Sequence, residues 1–339
     1  MGLPEVYLSA PAVVLPGRKV GNDELLSRVR RAFRGPEAEW ADVERRIRFV
    51  WKQCGSKERW LAEEQSRPVA DHAVRAAQAC LSAQGVTAET IDAVLYGGIP
   101  REYFEPATAA EIAAKLGAKR AAVYDVASAC AGFLLGIHAW VGHAAVDEGV
   151  RTGLVTCADL TADRLSYDVQ KPEDLELLAA GLTIGNAAAA VLLSRSPLRS
   201  CGRIVAMLVE SLPEHHALTR APVDGHFTCR STELFGLAKH VPEHVGRLLG
   251  RAGWAAQDVA WIASHQPSER LLREVARKIG VDPARVPSVH DRYGNAASSS
   301  VPLALDAIVR EKGLRTGDKI VLSTQAAGFV MCSLAVEWV

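Results

Sequence analysis

Gly85-Val-Thr-Ala-Glu-Thr-Ile-Asp-Ala-Val-Leu-Tyr-Gly-Gly98 and Gly253-Trp-Ala-Ala-Gln-Asp-Val-Ala-Trp-Ile-Ala-Ser-His-Gln266 are the two stretches whose comparison decides the fold. Superposed, Ile91 meets Val259 and Val94 meets Ile262. Each follows a helix-like segment, residues 74–82 and 245–251, and each ends in an apolar run of the kind that forms a buried strand. Further along, residues 109–116 before Gly117 match residues 271–279 before Gly280, with glycine supplying the helix stop in both. Gly149-Val-Arg-Thr-Gly153 then matches Gly313-Leu-Arg-Thr-Gly317.

Three segments repeated in the same order predict two related halves, residues 1–198 and 199–339, joined within residues 196–202. Helices alternate with short apolar strands in each half, the pattern of an α/β protein with a mainly parallel sheet. Residues 212–234 have no counterpart and read as an inserted loop or cap.

Charge and cysteine usage narrow the function. The 39 basic and 39 acidic residues cancel, so no general attraction to nucleic acid or to an anionic membrane is expected. The longest apolar stretch, residues 181–193, is interrupted by Asn186 and is too short for the ~20 residues that span a bilayer. Residues 1–6 carry no export or myristoylation signal, so a cytoplasmic location is expected. The cysteines at 54, 80, 130, 157, 201, 229 and 332 form no CxxC pair, which predicts free thiols and no metal site. Phosphate loops, nicotinamide fingerprints and Gly-x-Ser-x-Gly elbows are missing, which argues against redox and serine-hydrolase chemistry.

The chemistry-bearing residues fall at strand ends. The strand-like residues 121–126 run into Ala127-Ser-Ala-Cys-Ala-Gly-Phe133 and then a helical stretch, 134–146, so Cys130 sits at a helix start. Unpaired N–H groups and the helix dipole there are expected to lower its thiol pKa. His265 ends the strand-like residues 259–263. Tyr293-Gly-Asn-Ala-Ala-Ser298 leads into another helical stretch, 301–310, so that Asn295 would mirror Cys130 across the duplication. Taken singly, Cys130 reads either as a nucleophile or as a buried structural cysteine, His265 as a core histidine and Asn295 as a helix cap. Their placement at three corresponding strand ends favours one shared site.

Residues 127–133, His265-Gln266, Asp291-Arg-Tyr-Gly-Asn295 and Ser300-Val-Pro-Leu-Ala-Leu-Asp306 resemble the signatures of β-ketoacyl-acyl-carrier-protein synthase III, a thiolase-fold condensing enzyme. The resemblance runs from about residue 70 and is densest over 258–338, where Ala327-Gly-Phe329 also fits. It implies two similar halves in five layers, αβαβα. Cys130 would accept an acyl group, while His265 and Asn295 would donate hydrogen bonds to the thioester oxygen of a malonyl unit as it loses CO₂. Backbone N–H groups of Cys130 and of the Ala327 region would form the oxyanion hole. The resemblance further implies acyl-CoA or acyl-carrier-protein thioesters as substrates, no permanently bound cofactor, and a homodimer.

Departures from the family pattern bear on substrate. His265-Gln-Pro-Ser268 replaces His-Gln-Ala-Asn, Asn186 replaces an aspartate, and Gln325-Ala-Ala-Gly328 replaces a glycine-rich run. Glu105, beside Phe104, falls where an aromatic usually lines the partner subunit's acyl pocket, through a polar acyl preference or a repositioned loop. Cys229 in the insertion and Phe329 are further candidates for that pocket. Arg270 and Arg273 share a helix face that would meet a carrier protein or CoA phosphate, or is simply a solvated face. Residues 45–60 fit the family poorly, so pantetheine contacts cannot be assigned there. These departures favour condensation in specialised, polyketide-type metabolism over fatty-acid initiation. Transfer of the Cys130-bound acyl group to an alcohol, amine or carrier thiol is the alternative, and a non-catalytic subunit is disfavoured by the intact Cys130.

Overall fold

The computed structural model describes residues 3–62 and 68–339; Met1 and Gly2, which head the stretch read for an export signal, lie outside them. Strand Ala187–Ser194 is buried along its whole length, so the sheet it belongs to needs cover on both faces. That sheet has 10 strands. From one edge it runs Val259–Ser264, Lys319–Ala326, Val330–Trp338, Cys201–Ser211, Tyr7–Ser9, Ala187–Ser194, Thr152–Asp159, Ala93–Tyr96 and Ala122–Asp125, with Ala12–Val14 also paired to Ala187–Ser194. Tyr7–Ser9 is the seam, antiparallel to Ala187–Ser194 on one side and to Cys201–Ser211 on the other.

Alternating side chains send each half of the sheet to two different cores. Leu95, Val155, Val191, Leu322 and Leu334 face a central core that also holds Phe133, Ile137, Trp140, Val301 and Ile308 from helices Gly132–Val146 and Ser300–Lys312. Val94, Leu154 and Leu192 face helices Val69–Gln84 and Thr108–Leu116, and Val321 and Ala335 face helices Val241–Ala252 and Glu269–Ile279. The result is the expected αβαβα layering, and the helices begin and end within a few residues of their expected limits.

Two expectations need correction. The sheet is mixed rather than mainly parallel: Ala93–Tyr96 is parallel to both its neighbours and Val259–Ser264 to Lys319–Ala326, but the inner strands are antiparallel. Lys319–Ala326 and Val330–Trp338 are joined by a tight turn, which can only connect antiparallel strands. Secondly, residues 181–193 are not the segment that most resembles a membrane span. By length and composition alone Ala129–Val146 is apolar enough to cross a bilayer, because its helix packs Phe133, Leu134, Ile137, Trp140 and Val141 into the central core.

Outside the layers, helices Asn22–Ala32 and Glu37–Cys54 and the hairpin of Arg18–Gly21 with Glu58–Leu61 form a cap whose core includes Trp40, Ile47, Trp51 and Leu182. The insertion forms a second cap, with Thr219–Arg220 paired to Thr228–Cys229.

The first central helix starts against bare backbone. A Cβ on Gly132 would lie 2.1 Å from the Gly97 carbonyl oxygen, whereas one on Gly142 of the same helix would meet nothing within 4 Å. Gly132→Ala is therefore expected to cost at least about 2 kcal/mol in urea unfolding, because backbone cannot give way as a flexible side chain would. Gly142→Ala is expected to stabilise by about 0.5–1 kcal/mol through helix propensity.

Candidate active site

The two central helices begin in the same way. Ala129 at φ 45° and Ala297 at φ 47° are in the left-handed region, each opens a single 3₁₀ turn, Ala129–Ala131 or Ala297–Ser299, and each turn feeds its helix. Left-handed backbone without glycine costs on the order of 1–3 kcal/mol and concentrates at functional sites. The correspondence has the 168-residue offset of the first repeated segment, so Ser298 rather than Asn295 is the counterpart of Cys130. The sequence comparison missed this because the matching feature is a backbone conformation.

Cys130, His265 and Asn295 line one cavity of about 1550 Å³. Ala327, Phe104, Cys229, Phe329 and Arg270 also line it; Glu105 and Arg273 do not. Phe104 is 92% exposed. Arg273 is paired with Glu269 at 2.5 Å, and Arg270 spans Glu274 at 2.9 Å and the Gln53 side-chain oxygen at 2.7 Å. Phe329, at φ 44°, closes the turn that follows Ala327 and stacks edge-on to His240.

Burial, more than the helix dipole, sets the state of Cys130. Removal from water and the nearby charge of Asp159 push its thiol up to about 12, and Cys229 acts in the same direction. The expected depression does not occur. Cys130 is a thiol at neutral pH, and its carbonyl accepts a hydrogen bond from Thr324 Oγ1 at 3.1 Å.

His265 follows strand Val259–Ser264, and its N–H donates to the Ser323 carbonyl at 2.9 Å, which continues the sheet pairing by one step. Burial takes the ring down to about 4, the Ala297 backbone pulls the other way, and His290 adds to the depression. The imidazole is therefore neutral at physiological pH. Its Nδ1 finds no hydrogen-bond partner among the described residues.

Asn295 is held by its main chain. Its N–H donates to the Thr183 carbonyl at 2.8 Å, and its own carbonyl accepts from Gly185 N–H at 3.0 Å. The side-chain oxygen accepts from Ala297 N–H at 3.1 Å, which leaves the NH₂ group as the donor it can offer a ligand.

Sequence reasoning missed three buried polar groups here. Asp159, fully buried at the end of Thr152–Asp159, accepts from Ile99 N–H at 3.0 Å through one oxygen. Its other oxygen accepts from Ser298 Oγ at 2.6 Å, Ser299 N–H at 2.8 Å and Ser299 Oγ at 2.7 Å. Burial raises its pKa and these bonds oppose the rise. A lone acid closing the apolar run Leu154 to Ala158 was the available signal. Arg59, also fully buried, donates to Asn22 Oδ1, Ser56 Oγ and the Leu182 carbonyl. Burial lowers it to about 10. His290 is the third.

The departures noted in the sequence now have positions. Asn186 is buried, and its side-chain oxygen accepts from Ala62 N–H at 2.9 Å, a bond that either an amide or a carboxylate can make. Ser268 caps helix Glu269–Ile279, and its hydroxyl donates to the Gln53 carbonyl at 3.0 Å. Phe49, Val50, Gln53 and Cys54 of the cap line the same cavity, so the poorly matching residues 45–60 contribute to its wall. Among the described residues no cluster of three or more His, Cys, Asp or Glu is placed to hold a metal ion.

Comparison with known proteins follows from this geometry. Residues 249–338 match the model of the 3-oxoacyl-[acyl-carrier-protein] synthase III C-terminal family. The β-ketoacyl-[acyl-carrier-protein] synthase III of Symbiobacterium thermophilum is 28% identical over 317 residues, which cover 88% of this chain and 92% of that one. The structure of FabH, the 3-oxoacyl-(acyl carrier protein) synthase III of Pseudomonas aeruginosa PAO1, superposes with a TM-score of 0.84 at 26% identity over 98% of both chains. OleA of Xanthomonas campestris, at 23% identity, shares the fold with a TM-score of 0.88 over 100% of this chain and 99% of its own. Layering and matched sequence agree: the chain has the thiolase fold and is similar over most of its length to condensing enzymes of the β-ketoacyl-acyl-carrier-protein synthase III type.

Proposed function

We propose that the chain performs decarboxylative Claisen condensation, with an acyl group carried on Cys130 and a malonyl-type extender activated by His265 and Asn295. The observation that carries this reading is the meeting of these three side chains on one cavity. In the loading step Cys130 sulfur forms a bond to the acyl carbon, the donor thioester C–S bond breaks, and the thiol proton passes through His265 to the leaving thiolate. In the second step the malonyl C–C bond to the carboxylate breaks and CO₂ leaves. The electron pair becomes an enolate whose oxygen accepts hydrogen bonds from His265 and the Asn295 amide. The enolate carbon attacks the acyl carbon, the acyl–sulfur bond breaks, and Cys130 leaves as a thiolate that takes up a proton from solvent. Backbone N–H groups of Cys130 and Ala327 receive the oxyanion in both acyl transfers.

The donors in this scheme are acyl thioesters of CoA or an acyl carrier protein, met at Arg270 on the cavity wall, and no resident cofactor takes part. A cavity of about 1550 Å³ exceeds the ~300–1,000 Å³ usual for small-molecule sites, which suits an acyl chain together with a pantetheine arm and supports a specialised, polyketide-type product. The strand Ala122–Asp125 ends the sheet with Ala122 and Val123 exposed, and exposed Phe104 stands nearby in sequence, which supports a homodimer formed along that edge. Residues 1–198 and 199–339 are the two halves in this account, with Cys130 from the first and His265 and Asn295 from the second.

Asn295→Ala is expected to load an acyl group at close to the wild-type rate while CO₂ release from the malonyl thioester falls about 10²–10³-fold. Rapid-quench mass spectrometry separates the two rates, and equal loss of both would contradict the assignment. A second expectation concerns pH. Because the thiol is raised and His265 is lowered to about 4, loading with His265 as proton acceptor stays nearly flat from pH 6 to 8. Attack by a free thiolate would instead accelerate about tenfold per pH unit over that range, since each unit multiplies the ionised fraction of a weak acid by ten.

A further inference from the structure

His290 opens the short helix His290–Tyr293, after which Gly294 leads directly to Asn295. Its side chain reaches the other catalytic segment: Nδ1 donates to the Gln266 carbonyl at 2.8 Å, and Gln266 is the residue next to His265. A carbonyl only accepts, so Nδ1 carries the proton and, in the neutral ring, Nε2 is bare.

The Gln266 side chain reinforces this connection from the opposite direction. Its oxygen accepts from Val289 N–H at 3.0 Å, and its nitrogen donates to the Pro287 carbonyl at 3.3 Å and the Ser264 carbonyl at 2.9 Å. Residues 287–290 and 264–266 are thus strapped together through Gln266 and His290, both at zero exposure. Nε2 of His290 and Nε of Arg59 are each without a hydrogen-bond partner among the described residues. Burial lowers the pKa of His290 to about 4, the bond to the Gln266 backbone opposes this and Arg59 adds to the depression, so the ring is neutral. A buried unsatisfied atom is costly, so the histidine is kept here at the expense of a bare Nε2.

We propose that His290 is a positioning residue, a strut that fixes the spacing between His265 and Asn295 by holding the Gln266 carbonyl from the helix that leads to Asn295. This rests on the reading of His265 and Asn295 as the paired donors to one enolate oxygen. Two donors must converge on that oxygen, and displacement of reacting groups by about 1 Å can cost on the order of 10²-fold in rate. His290 makes no hydrogen bond to Cys130, so its effect belongs to the extender step and not to acyl loading.

His290→Leu and His290→Asn separate the possibilities. Leucine removes the donor, whereas the asparagine amide can place an N–H where Nδ1 stands. With saturating acyl thioester, kcat for condensation is expected to fall about 10- to 100-fold in His290→Leu with KM for the malonyl thioester changed less than threefold, and to return to within about threefold of wild type in His290→Asn. His290→Leu removes the bare Nε2 but leaves the Gln266 carbonyl without its donor, so its thermal midpoint should stay within a few degrees of that of wild type. In ¹⁵N-histidine-labelled protein the His265 signals should move in His290→Leu and not in His290→Asn. Full activity in His290→Leu, or failure of His290→Asn to recover it while the His265 signals stay in place, overturns the strut. Absence of condensation by the wild type would instead overturn the reading of the site, and the labelled spectra would still decide on the strut.

Discussion

A carboxyl group sealed from solvent is tolerated only if the protein replaces the hydrogen bonds of water, and Asp159 meets that condition by gripping the start of the second central helix. Ile99 N–H, Ser298 Oγ, Ser299 N–H and Ser299 Oγ all converge on it. Three of those four donors belong to the 3₁₀ turn that follows Asn295, and Asp159 itself ends a strand of the first half. The bond set therefore fastens the segment bearing Asn295 to the side of the molecule bearing Cys130. It also accounts for the strained backbone at Ala297, since a turn anchored by three donors and continued by a buried helix has little freedom to relax.

The same carboxylate shapes the electrostatics. Negative charge in a dry interior is felt over several ångströms, and it adds to burial in keeping the Cys130 proton in place. His265 is kept neutral by the matching logic with opposite sign: burial disfavours its charged form and that of His290 behind it, where the Arg59 guanidinium adds to the effect. In the proposed reaction, nucleophile and base thus wait in their uncharged forms. A site arranged in this way would expose no reactive thiolate before substrate arrives, and the proposed enolate would form out of reach of water once substrate fills the cavity.

How much of this could be read from the sequence depends on the kind of interaction. The alternation of helices and strands was legible because apolar periodicity reports burial directly, and the glycine stops after Leu116 and Ile279 are local; the five layers came from the family resemblance. The trio of Cys130, His265 and Asn295 was legible through short motifs. The true counterpart of Cys130, Ser298, was not, because it is defined by a φ angle at the residue before it. Nor was the state of the thiol: a helix start predicts a lowered pKa, and only the packing shows that burial outweighs it. Asp159, Arg59 and His290 bond to residues distant in the chain or to main-chain atoms, which leave no trace in local composition. The antiparallel inner strands were hidden for a similar reason, since Tyr7–Ser9 joins the sheet from far away in sequence.

The claim that matters most is that an acyl group on Cys130 is consumed by carbon–carbon bond formation. Intact-protein mass after incubation with a panel of acyl thioesters, followed by a malonyl-thioester chase and with Cys130→Ala as control, tests it most directly. The account predicts a Cys130-dependent adduct that disappears in the chase with release of CO₂ and a β-ketoacyl product. An adduct that survives malonyl thioester but leaves with an alcohol or amine would contradict it.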